Sequence, residues 1–316
     1  MSISDNPIYH NEDAAREHIE NLRWPNGTEC PHCGVVGNST LLKGETTRSG
    51  LYKCNECRKP FTVTMGTIYE KSHIPLHKWL LATRLMCSSK KGISASQLQR
   101  DLGLGSYRTA WFMAHRIREA MQADDITPMG INGGKVEADE TFIGIDQDSP
   151  KSRMAIRNMN KIVTLLDRET GQTRSVVIKN INMHTIAEIL RQNVSKSANL
   201  VTDEAHYYKT PGKVFASHNS VNHSKKEYVN KFDASITTNQ IEGFFGIFKR
   251  GMRGIYQHCK SHHLQRYLNE FDFRYSNRKA MGVDDASRAA LVVKGGVGKR
   301  LLYRRPKTQG FALIQA

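Results

Sequence analysis

Two cysteine pairs near the start of the chain constrain its folding more than any other feature. Cys30 and Cys33 bracket C-P-H-C, and after 20 residues Cys54 and Cys57 bracket C-N-E-C. Each C-x2-C turn aims two sulfurs at one point, and two such turns at this separation supply four thiolates for a tetrahedral zinc ion. The intervening GVVGNSTLLKGETTRSGLYK alternates apolar residues with turn formers, which predicts a small antiparallel ribbon. Four thiolates leave no open coordination position, so one structural Zn²⁺ is expected rather than a catalytic one. Cys87 and Cys259 stand alone and read as core or surface thiols.

With 316 residues the chain has room for two or three domains. Its 46 Lys and Arg against 30 Asp and Glu give a net charge of +16, a balance suited to a polyanionic partner. No run reaches the ~18 apolar residues of a membrane span, so no membrane partner is expected. The opening MSISDNPIYHNED is polar and acidic, unlike a secretory signal. Cysteines in such a context favour metal or free thiols over disulfides.

After the ribbon the periodicity turns helical. LHKWLLATRLMC follows Pro75, a start signal, and ISASQLQRDLGLGSYRTAWFMAHRIREAM follows in turn. Ser94 can cap a helix to Leu102, Gly103 to Gly105 make a turn, and Ser106 can cap a second helix to Met121. This is the layout of a helix-turn-helix, whose second helix would offer Tyr107 and Arg108 to the major groove. Trp79 and Trp111 read as core. Residues 124–135 have linker composition, and β-branched runs then predict strands over 136–139, 161–167, 174–179 and 200–203, with a helix over 183–194. That order fits a mixed sheet with helices on its faces.

Three acidic positions punctuate this second half. Asp139 lies in VEADETFIG and Asp203 in VTDEAHYY, each at the end of a strand-like run; Glu242 lies in TNQIEGFFGIFKR, a helical pattern. Carboxylates brought from two strands and a helix can hold two divalent cations about 3.5–4 Å apart, an arrangement that serves phosphoryl transfer. Lys249 follows Glu242 by seven residues and shares its helix face, with Arg250 beside it, and both could hold phosphates. Glu137, Glu140 and Glu204 are expected to point away from this cluster by strand alternation. Residues 274–307 carry ten Lys or Arg against Asp284 and Asp285, an expected electrostatic arm. The GGVGK run at 295–299 lacks the full phosphate-loop spacing, so no nucleotide cofactor is expected.

The three acidic blocks, in this order after a zinc ribbon, resemble the DDE-type bacterial insertion-sequence transposases of the zinc-ribbon, ISXO-like family. The resemblance spans about residues 20–280. It implies a ribonuclease-H-like catalytic domain, cleavage of transposon ends, and joining of the freed 3′-hydroxyl to target DNA with two Mg²⁺ or Mn²⁺ ions. It matches Asp139 and Asp203 to the first two metal ligands. The third position stays open between Glu242, a carboxylate with Lys249 at the usual spacing, and Asn239, since some family members are described with Asn there; hard cations favour Glu242. The implied organisation is a zinc ribbon over 1–72, a helix-turn-helix over 73–125, a catalytic domain over 126–280 and a basic arm over 281–316. The implied partner is double-stranded DNA, bound by a homo-oligomer of at least two subunits in the bacterial cytoplasm at the nucleoid. The alternatives are a nuclease or resolvase on the same scaffold that does not join, and a DNA-binding regulator with an inactive catalytic domain.

Overall fold

The computed structural model describes all residues except 1, 2, 4, 124–126, 148–151, 153, 223–228, 230–232 and 303–316. Helix α1 (Glu12–Arg23) starts where the Asn11 side chain accepts from the Ala14 N–H. Three short strands follow, β1 (Ser39–Leu41), β2 (Tyr52–Cys54) and β3 (Pro60–Phe61), paired antiparallel in sequence order as the ribbon pattern predicts. Trp24, Tyr52 and Phe61 pack ring on ring beneath them, with centroids 5.5–5.8 Å apart.

Three helices succeed the ribbon: α2 (Leu76–Ser88), α3 (Ala95–Asp101) and α4 (Tyr107–Ala120). Ser94 and Ser106 cap α3 and α4 by accepting from the Gln97 and Thr109 N–H groups, at 3.1 and 3.2 Å. Trp79 is core as expected, 1% exposed. A last helix, α8 (Asp285–Gly295), joins the same core through Val292 and Val293 and packs on α1, α2 and α4. Arg288 of α8 is buried, donates to the Cys87 carbonyl at 2.6 Å and pairs with Asp285 at 2.9 Å. Residues 285–295 of the segment read as a basic arm are thus a packed helix, and residues 303–316 lie outside the described ones. Its short ALVV run supplies the apolar contact that its charges hid.

The second half is a five-stranded mixed sheet. Strands β4 (Lys135–Ile145), β5 (Met159–Asp167) and β6 (Thr173–Ile178) form an antiparallel meander; β7 (Asn199–Thr202) and β8 (Ser217–Ser220) add parallel to β4, giving the order β6-β5-β4-β7-β8. Helix α5 (Met183–Asn193) covers one face through Ile186, Ile189 and Leu190. Helices α6 (Asn239–Gly251) and α7 (Ser261–Ser276) cover the other, where Ile241, Phe244, Phe245 and Phe248 fill the space over Ile143, Ile162 and Leu166. Strand β8, with sequence SHNS, has no apolar residue and is absent from the sequence reading.

Side chains of α7 reach the outer edge of β6 and complete its backbone bonding. Asp272 accepts from the Ser175 N–H and hydroxyl, both at 2.8 Å. Gln265 accepts from the Val177 N–H at 3.0 Å and donates to the Ser175 carbonyl at 2.8 Å. Ser276 accepts from the Thr173 N–H at 2.9 Å. An edge strand satisfied in this way offers no template to another chain. The same helix carries Glu270, fully buried, which pairs with Arg118 of α4 at 2.7 Å and with Arg274 at 3.1 Å. That cluster ties the helical half to the sheet.

Candidate active site

Strand lengths decide where the acids emerge. β4 pairs with β7 only over Lys135–Glu137, and β7 stops at Thr202. From residue 138 onward β4 pairs with β5 alone, so the opposite side of the strand is open. Asp139 stands at this opening, and Asp203 follows the last residue of β7. Asp139 is therefore mid-strand rather than at the strand end expected, because TFIGI continues the pairing with β5 as far as Ile145.

Asp139, Glu140 and Asp203 each bring a carboxylate oxygen within 4.8 Å of the others. Glu140 was expected to turn away. Alternation does assign it to the other face, but no neighbouring strand intervenes there and its carboxylate remains beside the two aspartates. Two hydroxyls hold it: Tyr207 donates to it at 2.8 Å and Tyr208 donates to its other oxygen. Asp139 accepts from the Glu140 N–H at 2.7 Å, and Asp203 from the Ala205 N–H at 3.0 Å. Burial, then the Glu140 charge, push the Asp139 carboxyl up to about 8, with Asp203 and Glu242 adding to the push. Burial pushes Glu140 up to about 7, against the tyrosine hydrogen bonds and with Asp203 adding repulsion. Hard oxygen donors that repel one another at this range suit a divalent cation, which would bring each back to its ionised form. The sequence signal for Glu140 was the D-E pair itself, together with the paired tyrosines after Asp203.

Glu242 stands on the first turn of α6, exposed, and its charge reaches Asp139. It lies outside the tightest group of three. Asn239 opens the same helix, also exposed, its N–H donating to the Thr237 hydroxyl at 3.2 Å. Burial and Arg253 pull the Lys249 ammonium down while Asp139 acts oppositely, so Lys249 lies within electrostatic reach of the cluster. Arg250 is exposed on the last turn of α6. Tyr107 and Arg108 are exposed on the first turn of α4, in the helical half.

A buried anchor sets the position of α6. Glu137 has no exposed surface, pairs with Arg168 at 2.6 Å, and accepts from the Ile241 N–H at 2.9 Å and from the Gln240 N–H. Arg168 also donates to the carbonyls of Ser235 and Thr237, just before the helix. Glu137 shares the parity of Asp139 along β4, so it faces α6; the expectation that it points elsewhere fails on alternation itself. A carboxylate at a helix N-terminus satisfies otherwise unbonded N–H groups.

In the ribbon, the Cys30 and Cys57 sulfurs lie 3.7 Å apart and those of Cys33 and Cys54 3.6 Å apart, all four within 4.8 Å of one another. Tetrahedral zinc with Zn–S of about 2.3 Å requires sulfurs about 3.8 Å apart. The four cysteines fit a structural Zn²⁺. No helix of the described residues is long and apolar enough to cross a membrane.

Residues 131–276 match the family model described as an ISXO2-like transposase domain, and residues 10–60 match the transposase zinc-ribbon domain. An uncharacterized protein in transposable element ISH50 of Halobacterium salinarum is 25% identical over 281 residues, covering 83% of this chain and 90% of that protein. A chain in the structure of the simian T-cell lymphotropic virus intasome in complex with PP2A regulatory subunit B56 gamma aligns at 12% identity and a TM-score of 0.29. That alignment covers 55% of this chain and 63% of the other, too slight a likeness to build on.

Proposed function

This chain belongs to the ISXO2-like transposase family with a zinc ribbon, and from that premise we propose that it cleaves the ends of its element and joins the freed 3′-hydroxyl to target DNA. The observation that carries the reading is the gathering of Asp139, Glu140 and Asp203 at the open side of β4, with Glu242 on α6 within electrostatic reach. The strand order, a three-stranded meander extended by two parallel strands, supports a ribonuclease-H-like catalytic domain over 126–280. Asp139 and Asp203, with Glu242 in preference to Asn239, are the residues assigned to hold two Mg²⁺ or Mn²⁺ ions. When bound, such ions stabilise the charge on the attacking and leaving oxygens of an in-line displacement. The chain's own groups do the positioning. Tyr207 and Tyr208 fix Glu140, Glu137 fixes α6, and Lys249 and Arg250 hold flanking phosphates.

The capped pair α3–α4 supports a helix-turn-helix within 73–125, with Tyr107 and Arg108 directed at the end sequence and the zinc ribbon of 1–72 adding phosphate contacts. Cutting two ends in one event needs two such sites, so the working unit is a homo-oligomer of at least two subunits on double-stranded DNA, in the cytoplasm and at the nucleoid. Labelled element ends incubated with a target plasmid test the proposal: Asp139→Asn should abolish both cleavage and joining while DNA binding persists. Cleavage with no joined product would leave a nuclease in its place. Full activity in Asp139→Asn would leave the DNA-binding regulator.

A further inference from the structure

Tyr107, Trp111, His115 and Arg118 recur at spacings of four, four and three residues and so share one face of α4. The inner end of this stripe is structural. His115 has no exposed surface, and Arg118, 2% exposed, lies over the Tyr267 ring at 4.1 Å. The outer end is not. Tyr107 is 54% exposed, and Trp111, expected in the core, opens onto two cavities of about 430 and 310 Å³. Trp111, His258 and Tyr267 line both, so the cavities form one trough between the start of the α3–α4 pair and the entry to α7. Trp24 and Trp79, by contrast, are 7% and 1% exposed.

The opposite wall has unusual backbone. One π-helical turn, Met252–Tyr256, leads into Gln257 at φ +49° and ψ −62°, a strained conformation for a residue with a side chain. π-turns and strained residues of this kind cluster at ligand sites. The trough presents flat rings (Trp111, Tyr256), amide groups (Gln97, Gln257) and an ammonium, Lys260. Its volume falls in the range of about 300–1,000 Å³ of small-ligand sites. His115 packs on Trp111 with ring centroids 4.0 Å apart, and neither of its ring nitrogens has a hydrogen-bond partner among the described residues. Among those residues the histidines and Cys259 do not gather three donor atoms as the ribbon cysteines do, so a metal centre does not account for the trough.

We propose that this trough receives one nucleobase unstacked from a DNA strand, its face against Trp111, its polar edge toward the amides, and its phosphate toward Lys260. The assignment rests on the transposase reading only in taking DNA as the polymer. A paired base cannot enter, so the site selects single-stranded or locally opened DNA, by stacking rather than by sequence.

The test titrates full-length, zinc-loaded protein with a single strand of about eight nucleotides and, separately, with the blunt duplex of the same sequence. The single strand should quench tryptophan emission, and Trp111→Phe should remove the quench with affinity little changed. Trp111→Ala and Tyr107→Ala should weaken single-strand binding by about 5- to 100-fold. Should Trp111→Ala unfold, Tyr107→Ala, at an exposed position, and Trp111→Phe still decide. Unchanged emission at saturation, or a quench that survives in Trp111→Phe with Tyr107→Ala binding as tightly as the parent, overturns the proposal. Duplex binding and Asp139-dependent cleavage without single-strand binding would remove the trough and leave the transposase reading. A Trp111 quench in protein lacking Asp139-dependent cleavage would do the reverse.

Discussion

Two side chains of α6, Glu242 and Asn239, are the candidates to join Asp139, Glu140 and Asp203 in the acidic site. The Glu242 charge helps raise the Asp139 carboxyl, whereas the Asn239 amide carries no charge to offer a cation. Glu242→Gln should therefore reduce end cleavage by several orders of magnitude with DNA affinity kept, and Asn239→Ala should have a mild effect. Single-turnover cleavage measures both, and a dead Asn239→Ala beside an active Glu242→Gln would transfer the role to the amide. The neighbouring acids show how fine the reading of a strand must be. Alternation separates Asp139 from Glu140 by face, yet where the adjacent strand stops, the two carboxylates meet at the free side. Sequence gives the alternation but not the strand length that cancels it.

Elements carry the positioning. Glu137 joins β4 to the N-terminus of α6, so Glu137→Gln, which keeps an acceptor but leaves the half-buried Arg168 without its counter-charge, should lower cleavage about 10- to 100-fold. A readout beyond stability is the divalent-ion concentration for half-maximal cleavage, which should rise; an unchanged value would confine Glu137 to folding. At the β6 edge of the sheet, burial pushes the Asp272 carboxyl up to about 7, against its bonds from Ser175. A carboxyl raised in the folded state favours folding fully below its unfolded value of about 3.9, and that contribution is lost as pH rises toward 7. Unfolding midpoints should accordingly fall across that window, and Asp272→Asn should flatten the slope; equal slopes in both proteins would show that another group titrates there. Much of this architecture was legible in advance. The Ser94 and Ser106 caps, the cysteine turns, the β-branched runs and the apolar face of α6 all announce themselves locally. Strand β8 was not legible, because SHNS gains its place from pairing with β7 rather than from burial. Helix α8 was not, because only Val292 and Val293 enter the core, a two-residue signal inside a segment with a strong basic excess. Trp111 departs from the expected core for a related reason: helical spacing identifies a shared face but not whether that face meets protein or an opening.

For the molecule as a whole, the four ribbon cysteines fit one zinc ion that would hold the ribbon together. Protein purified without chelators should contain one zinc per chain, and its removal or Cys54→Ser should disorder residues around 25–65 and weaken DNA binding, while the sheet keeps its unfolding transition. Absence of zinc by metal analysis would contradict this. Helix α8 adds a condition of another kind. It lies beside α1 although more than 250 residues separate them in the chain. At synthesis rates of about 5–20 residues per second, α1 waits on the order of tens of seconds before α8 exists. The sheet, whose contacts are nearer in sequence, can form during that interval, whereas the core beneath the ribbon cannot close. All five strands of the sheet are made before that helix, so among the described residues the helical core is the part whose closure waits longest on synthesis.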